Sequence, residues 1–319
     1  MRVLHVDPAT GWRGGQAQVA ALLRGRPGDL WAGAERGELA ARLGRPPDVP
    51  LVADAGGINA LRVRSFAARL AVDLVAAHSS HGHDACLLAR VPLVVHRRNH
   101  RVPGNVWKYA PARVTVAVSE WVASRCRAAG VPRVAVVHDG ADGAYVGSRR
   151  PSRPPVYLVA AALVKHKGHA QLLDAFRGVE GELLIAGTGP LEGELRALAA
   201  PMGERVSFLG QVADLEALFS AVDVLVLPSL EEAAGSVLIE GMAAGLAIVA
   251  SKVGGIPELV GDVGALVACG DRRGWVAALR TAPGAGGRAT AARAAQFSVA
   301  EMVRRTEAVY RGALSGRVR

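Results

Sequence analysis

The chain has 319 residues, enough for two average domains, and half of them are hydrophobic although only 4% are aromatic. Its hydrophobic core must therefore consist mainly of Val, Leu and Ala, and none of its apolar runs approaches the ~20 residues of a membrane-spanning helix. Three scattered cysteines argue against a disulfide framework and are typical of a reducing compartment, so we expect a cytoplasmic protein.

The net charge of +10 is carried by the first half of the sequence. Residues 1–150 contain 21 Lys and Arg against 11 Asp and Glu, whereas residues 151–319 contain 17 of each kind. A genome that prefers arginine explains the choice of Arg over Lys but not this asymmetry. A basic first half favours an anionic partner such as a phosphorylated substrate or a membrane surface. No basic stretch there is interleaved with aromatic residues, and we expect no nucleic-acid partner.

Short apolar runs alternate with helical patterns along the chain. In the first half the runs that predict strands are RVLHVD, VPLVA, VDLVAAH, PLVVH, RVTVAVS and RVAVVHDG, while GQAQVAALLRG and SEWVASRCRAAG are typical of helices. The segment Gly147–Pro155, rich in Pro and Arg, predicts a linker, after which come VYLVAAAL, ELLIAG, RVSFLG, DVLVLPS and LAIVAS. This alternation predicts an α/β protein with two doubly wound, Rossmann-like parallel-sheet domains, 1–148 and 149–298, that face a central cleft.

A cluster of histidines, HSSHGHDAC, occupies His78–Cys86. A zinc motif H-x-H-x-D-H would need Asp84 one position later and a further His, so we expect no metal here. The cluster follows a predicted strand, and His96 and Arg98 follow the next one, so these side chains should meet at the carboxyl edge of the sheet. They could merely cap helices or be solvated. Alternatively, His81 and Asp84, with His96 or Arg98, polarise or deprotonate an acceptor hydroxyl.

The segment Leu227–Val260 places two acids eight residues apart. Glu232 lies in a predicted loop and Glu240 in the helix that follows, so both can face one site. Three backbone N–H groups at the start of that helix would favour a phosphate, namely those of Gly235, Ser236 and Val237. Carboxylates accept strong hydrogen bonds from sugar hydroxyls. Phosphate between two hydroxyl-binding acids indicates a nucleotide-sugar.

A glycine-rich turn, GTGPLEG, follows the predicted strand ELLIA. The spacing of Gly187, Gly189 and Gly193 is G-x-G-x-x-x-G, and no acid follows the next strand, so binding of NAD is not favoured. Two interpretations stay open for these glycines. They pack a helix against the sheet, or they contact a ligand.

The order of these motifs resembles that of family 4 glycosyltransferases of the GT-B fold. The resemblance rests on E-x7-E with GMAAGLAIVAS and GGIPELV, on KHKGHAQLLDAF and LLIAGTGPLEGEL, and on GWRGGQAQVAALL and VSEWVASRC in the first half. It covers nearly the whole chain. It implies that a C-terminal helix, about 299–319, packs back on the first domain.

The resemblance also implies roles for individual residues. Glu240 matches the acid that binds the donor ribose, Glu232 the acid that touches the transferred sugar, and Lys167 the phosphate-binding lysine. The amides of the helix start match those that hold the distal phosphate. Further matches are the wall against the base, Phe208 and Leu209, and the glycine loop of the first domain, Gly14 and Gly15.

Two departures from the family pattern concern the donor. The usual Gly-Arg-Leu is Ala161–Leu163, so Ala162 replaces a phosphate-binding arginine, and Lys165 can substitute for it only as a point charge. The usual Gly-Phe after the first acid is Ala233–Ala234, which predicts a roomier pocket beside the sugar.

The resemblance implies a retaining glycosyltransferase that needs no metal or other cofactor. It would transfer a sugar from a nucleoside-diphosphate sugar to a hydroxyl of a lipid-linked or saccharide acceptor, in assembly of lipopolysaccharide, capsule or glycolipid. Two alternatives stay open: a nucleotide-sugar epimerase of the same fold, and a nucleotide-sugar-binding protein without turnover. The basic first domain predicts peripheral contact with the anionic inner face of the cell membrane.

Overall fold

The computed structural model describes residues 1–52, 55–101, 104–143, 145 and 154–316. The chain divides into two compact units, one of residues 1–140 with 299–319 and the other of residues 141–298. The boundary expected at 148/149 and most of the predicted linker Gly147–Pro155 lie outside the described residues.

The first unit contains a seven-stranded parallel sheet in the order β3-β2-β1-β4-β5-β6-β7. Its strands are β1 (Val3–Asp7), β2 (Leu30–Gly33), β3 (Val49–Pro50), β4 (Leu74–Ala77), β5 (Leu93–Arg97), β6 (Ala112–Ala117) and β7 (Val134–Val136). β1, β4 and β5 are buried along their whole length. Because helices cover both faces of such a sheet, its strands read as continuous apolar runs.

Six α-helices belong to the described part of this unit: α1 (Gly14–Gly25), α2 (Glu38–Leu43), α3 (Gly56–Arg69), α4 (Ser80–Cys86), α5 (Glu120–Ala128) and, from the end of the chain, α13 (Val299–Ser315). A 3₁₀ helix spans Val106–Tyr109. α13 contributes Met302, Tyr310 and Ala313 to the same buried cluster as Leu22 of α1 and Leu74 of β4. The last helix is therefore part of the core of the first unit.

The second unit contains a six-stranded parallel sheet in the order β10-β9-β8-β11-β12-β13. The strands are β8 (Val156–Ala160), β9 (Glu182–Ala186), β10 (Val206–Gly210), β11 (Val224–Leu227), β12 (Ala247–Ser251) and β13 (Ala265–Val267). The α-helices are α6 (His169–Phe176), α7 (Glu192–Ala199), α8 (Leu215–Phe219), α9 (Val237–Ala243), α10 (Ile256–Val260), α11 (Arg272–Thr281) and α12 (Arg288–Ala294), with 3₁₀ helices at Lys165–Lys167, Ala200–Arg205 and Ala295–Phe297.

Both sheets confirm the predicted α/β fold of two doubly wound, parallel units. Each has the strand order of a Rossmann sheet, with the order reversing between β1 and β4 and between β8 and β11. The sequence did not predict β2 or β13, because LWAG and ALV are too short to stand out as apolar runs. No helix in the described ranges is both long and apolar enough to cross a membrane.

Candidate functional site

The reversal point of the second sheet brings together two residues that the sequence selected. Lys167 lies in the loop after β8 and Glu232 in the loop after β11, and Lys167 Nζ is 2.5 Å from Glu232 Oε2. The hydroxyl of Ser229, a buried residue two positions beyond β11, donates to the same carboxylate oxygen at 3.1 Å. Ligands of open α/β sheets bind beyond the carboxyl ends of strands at such a reversal, so this pair lies where a ligand is expected.

Two glycines allow the loops around this pair to approach closely. Gly168 has φ +68°, and a Cβ there would overlap the carbonyl oxygen of Pro228. Gly254 has φ +59°, and a Cβ there would overlap the carbonyl oxygen of Glu232, which also accepts a hydrogen bond from Gly255 N–H at 3.3 Å. Only glycine fits both the left-handed backbone and the close contact. Gly168 and Gly254 therefore let the loops approach closely enough for Lys167 to contact Glu232.

Glu240, the second predicted acid, lies in α9, one turn from its start. Its carboxyl group is partly buried and has no hydrogen-bond partner among the described residues. Burial raises the pKa of Glu240 to about 6. The backbone N–H groups just before it also have no acceptor in the described part of the chain, namely those of Gly235, Ser236 and Val237. Within the described residues, this acid and these three amides have no protein partner, so they remain available to a ligand.

The turn with Gly187 and Gly189 packs against the loop after β8. A Cβ on Gly187 would overlap the carbonyl oxygen of Ala161, and one on Gly189 would approach the carbonyl oxygen of Leu163. Leu163 N–H donates to Thr188 O at 2.9 Å. Packing alone thus explains both glycines, and their contact with a donor stays a prediction.

The departures from the family pattern differ in exposure. Ala162 and Lys165 are both exposed, so Lys165 is free to move toward an anion. Ala233 and Ala234 are both buried, so the roomier pocket expected beside them is not open to solvent.

The predicted base wall lies on β10, at the edge of the sheet. The guanidinium of Arg196 lies over the ring of Phe208, 4.6 Å from its centroid, and Leu209 is 38% exposed. The contact of either side chain with a base stays a prediction.

In the first unit, Gly14 and Gly15, which the sequence placed in a loop, are the first two residues of α1. Arg13, the residue before the helix, provides no side-chain cap. A Cβ on Gly15 would meet open space. The approach of this loop to a diphosphate or an acceptor stays a prediction.

In the histidine cluster, α4 begins at Ser80, and the Ser79 hydroxyl before it accepts a hydrogen bond from Gly82 N–H at 3.1 Å. His81 is exposed on its first turn. Asp84 pairs with Lys108, whose Nζ is 2.6 Å from Asp84 Oδ1. The Asp84 carboxylate is therefore held in an ion pair, which an acceptor hydroxyl would have to displace.

His96 does not lie at the exposed rim where the sequence placed it. It is the penultimate residue of β5, its ring is buried, and its Nε2 is 2.8 Å from the Tyr310 hydroxyl of α13. Arg98, two residues later, does lie just beyond the strand. Its Nε donates to Asp139 Oδ1 at 3.0 Å. Of the predicted acceptor-side residues, Arg98 is therefore fixed by its neighbours and His96 is enclosed by the core.

Sequence reasoning assigned no role to Ser229, Gly254 or Asp139. A glycine pair shortly after a strand, as at Gly254–Gly255, was the signal for a close approach to another loop. Nothing in the sequence pairs Asp139 with Arg98, because the two residues are 41 positions apart.

Two parallel sheets that both have the Rossmann strand order define the class of fold, which is that of the GT-B glycosyltransferases. The Anabaena protein HepE, in a crystal structure with UDP and glucose, has a TM-score of 0.81 and 22% identity over 98% of this chain and 99% of its own. At this identity the likeness shows the fold.

Residues 154–282 of the second unit match the family described as Glycosyl transferases group 1. D-inositol 3-phosphate glycosyltransferase of Salinispora tropica is 36% identical over 165 residues, 48% of this chain and 33% of that protein. Phosphatidyl-myo-inositol mannosyltransferase of Mycobacterium leprae is 41% identical over 115 residues, 33% of this chain and 30% of that protein. The matches span about a third of the length of these relatives. The resemblance to family 4 glycosyltransferases is confirmed.

Proposed function

We propose that the chain is a retaining glycosyltransferase that takes its donor, a nucleoside-diphosphate sugar, on the second unit. The observation that carries this proposal is the contact of Lys167 with Glu232 at the reversal point of the sheet, with the unpartnered Glu240 in the helix that follows. A cation and two acids at this edge match a diphosphate flanked by two sets of hydroxyls. The named activity of the relatives supports the transferase class.

Each group then has one task in the reaction. Lys167 stabilises the negative charge that develops on the departing diphosphate, and Gly235, Ser236 and Val237 donate backbone hydrogen bonds to it. Glu232, released from Lys167 by the phosphate, accepts a hydrogen bond from the transferred sugar. Glu240 accepts from the ribose. The Ser229 hydroxyl holds the Glu232 carboxylate in place.

The donor and acceptor are tested with radiolabelled UDP-glucose and GDP-mannose, each offered with D-inositol 3-phosphate, phosphatidylinositol vesicles or no acceptor. These probes come from the donors and acceptors in the names of similar proteins. Transfer of label to an acceptor supports the proposal. Interconversion of the free donor would identify an epimerase. Binding without turnover, a result that the exposed Ala162 would explain, would identify a nucleotide-sugar-binding protein.

Turnover should not depend on a metal ion. The sequence has no D-x-D pair to hold a divalent ion against a diphosphate, and the described residues contain no group of three or more His, Cys, Asp or Glu arranged to bind one. We expect equal initial rates with and without EDTA. Loss of activity in EDTA with rescue by manganese or zinc would contradict this and direct attention to His78–Asp84.

The first unit is expected to bind anionic membranes peripherally. Exposed apolar side chains lie on α3 and on the 3₁₀ helix before β6: Ile58 is 56% exposed, Leu61 60% and Trp107 67%. Arg62 on α3, next to Leu61, is also exposed. Tryptophan and arginine together suit the interface of an anionic bilayer, where each basic residue contributes about 1 kcal/mol. Arg304 and Arg305 of α13 pair with Glu301, so their charges are less available to anionic lipids.

Co-sedimentation with phosphatidylserine-containing and with neutral vesicles, at low and high salt, measures this binding. We expect binding to the anionic vesicles only, weakened by salt, and a roughly tenfold loss in Trp107→Ala from the lost apolar burial. Leu230→Ala, which removes an exposed apolar side chain of the second unit, is the matched control. Equal and negligible sedimentation with both kinds of vesicle would rule the contact out.

A further inference from the structure

A buried chain of hydrogen bonds runs through the first unit. His5 of β1 and His78, directly after β4, lie side by side, with His5 Nδ1 2.8 Å from His78 Nε2. His5 Nε2 is 3.1 Å from Asp29 Oδ2, and Arg98 Nη1 is 2.9 Å from His78 Nδ1. The two histidines and Asp29 are buried. Arg98 thus connects to Asp29 through two imidazoles.

The chemistry of the end groups fixes the direction of every bond in this chain. A guanidinium has only donors, so Arg98 must donate to Nδ1 of His78. Burial lowers the pKa of His5 and lowers that of His78 well below its usual value, so both rings are neutral at pH 7. A neutral His78 that accepts at Nδ1 carries its proton on Nε2 and donates to His5 Nδ1. His5 in turn donates from Nε2 to Asp29.

The Asp29 end of this hydrogen-bond chain is held by a second arginine. Arg26 Nε is 2.5 Å from the same Oδ2 of Asp29 that His5 contacts, and Arg26 Nη2 is 3.2 Å from Oδ1. Val3 N–H also donates to Asp29, at 3.3 Å. A carboxylate held by this many donors stays ionised, and it strengthens each acceptor along the chain.

At the Arg98 end of the hydrogen-bond chain, one of the three guanidinium nitrogens is unused by the described residues. Arg98 Nε donates to Asp139 and Nη1 to His78, while Nη2 has no hydrogen-bond partner among the described residues. The side chain is 12% exposed, and Arg98 follows β5 at the carboxyl edge of the sheet, where ligands of this fold bind. Two of the three guanidinium nitrogens therefore fix the orientation of the third.

We propose that His78, supported by His5 and Asp29, is a positioning residue that orients Arg98 so that its Nη2 donates a hydrogen bond to an oxygen of the acceptor substrate. This assignment rests on the proposed transferase function for its substrate. The hydrogen-bond direction and the restraint on Arg98 do not depend on that function.

Nuclear magnetic resonance of protein labelled with ¹⁵N in histidine and arginine tests the positioning directly. We expect His5 and His78, assigned from the signals lost in His5→Gln and His78→Leu, to carry their protons on Nε2. Separate Nη resonances of Arg98 should show slow rotation in the wild type, and faster rotation in His78→Leu. His78→Asn, which restores an acceptor near the Nδ1 position, should recover part of the restraint. A proton on Nδ1 of either histidine, or unchanged rotation in His78→Leu, would overturn the proposal.

The effect of the Arg98 orientation on catalysis is tested by turnover of radiolabelled UDP-glucose, measured as transfer to D-inositol 3-phosphate or as release of glucose. His78→Leu should lower kcat/KM roughly tenfold to a hundredfold, the effect of one hydrogen bond to a charged group, while calorimetric affinity for UDP-glucose is unchanged. Tyr310→Phe is the matched control, because it removes a buried hydroxyl from His96 in the same cluster and leaves the Arg98 chain intact.

Equal kinetic losses in His78→Leu and Tyr310→Phe at equal melting temperature would show a merely structural role and overturn the proposal. A wild-type protein that turns over no UDP-glucose would count against the proposed function with UDP-glucose as the donor. In that case the resonance measurements still decide whether His78 positions Arg98.

Discussion

Glu240→Ala and Lys167→Ala are each expected to weaken binding of the nucleotide-sugar roughly tenfold to a hundredfold, since a hydrogen bond to a charged group contributes about 1.5–3 kcal/mol. Glu240 has no protein partner within the described residues, so its loss removes only contacts to a ligand. Lys167 contacts Glu232 at 2.5 Å, so its loss also leaves that acid without its counter-charge beside a diphosphate. Isothermal titration calorimetry measures both effects.

Charge-matched controls exist in the same unit. Lys252 and Glu194 are both exposed, and Lys252→Ala and Glu194→Ala should leave the affinity within the error of the measurement. Lys165→Ala separates a further point: a loss comparable to that of Lys167→Ala would show that Lys165 replaces the arginine missing at Ala162. Unchanged affinity in both Lys167→Ala and Glu240→Ala would remove the assigned site.

The Glu240 carboxylate predicts how the affinity for the nucleotide-sugar depends on pH. Burial raises the pKa of Glu240 to about 6, so the group is largely protonated below that pH and is then a weaker acceptor for a ribose hydroxyl. Affinity should fall as the pH drops through about 6, and Glu240→Gln should abolish this dependence. For stability the sign is opposite: a raised pKa favours the protonated folded state, so the stabilisation present below the usual carboxyl pKa of 4.5 is lost as the pH rises through about 6.

Local patterns sufficed to predict most strands of the second unit and to select the residues of its candidate site. Apolar runs bounded by turns marked the strands, and the spacing of Glu232 and Glu240 depends only on one loop and one helix turn. Lys167 was predicted through its motif, although the sequence alone could not show that it contacts Glu232, 65 positions away. That contact follows from the strand order, which places the loops after β8 and β11 next to each other.

The first unit shows what local patterns cannot reveal. His96 looked like a rim residue because it stands near the end of an apolar run. The structure buries it because α13 closes over that strand. The residue of α13 that contacts His96 is Tyr310, which lies 214 positions later in the sequence. A side chain's exposure in a doubly wound sheet depends on which helix covers it, and here the covering helix comes from the far end of the chain. The roles of Asp29 and Asp139 are hidden because their partners, His5 and Arg98, lie 24 and 41 positions away in the sequence.

Gly168→Ala should destabilise the second unit by about 2–5 kcal/mol. The residue adopts φ +68° and ψ +20°, which costs a non-glycine residue about 1–2 kcal/mol. In addition, a Cβ would overlap the carbonyl oxygen of Pro228, and relieving such overlap in a packed region costs about 1–3 kcal/mol. Because Lys167 precedes Gly168, the displaced loop should also carry the lysine away from Glu232 and weaken donor binding. Denaturant unfolding and calorimetry measure the two effects.

The chain provides a control with the same backbone conformation and no neighbour. Gly44, at the end of α2, has φ +66° and ψ +18°, and a Cβ there would meet nothing within 4 Å. Gly44→Ala should therefore cost only the conformational part, about 1–2 kcal/mol, and should leave donor affinity unchanged. The difference between the two variants isolates the cost of moving the Pro228 carbonyl, which is the contact that brings the loops after β8 and β11 together. Equal destabilisation by both substitutions, with donor affinity unaltered in each, would show that these loops tolerate the displacement and that Gly168 does not set the position of Lys167.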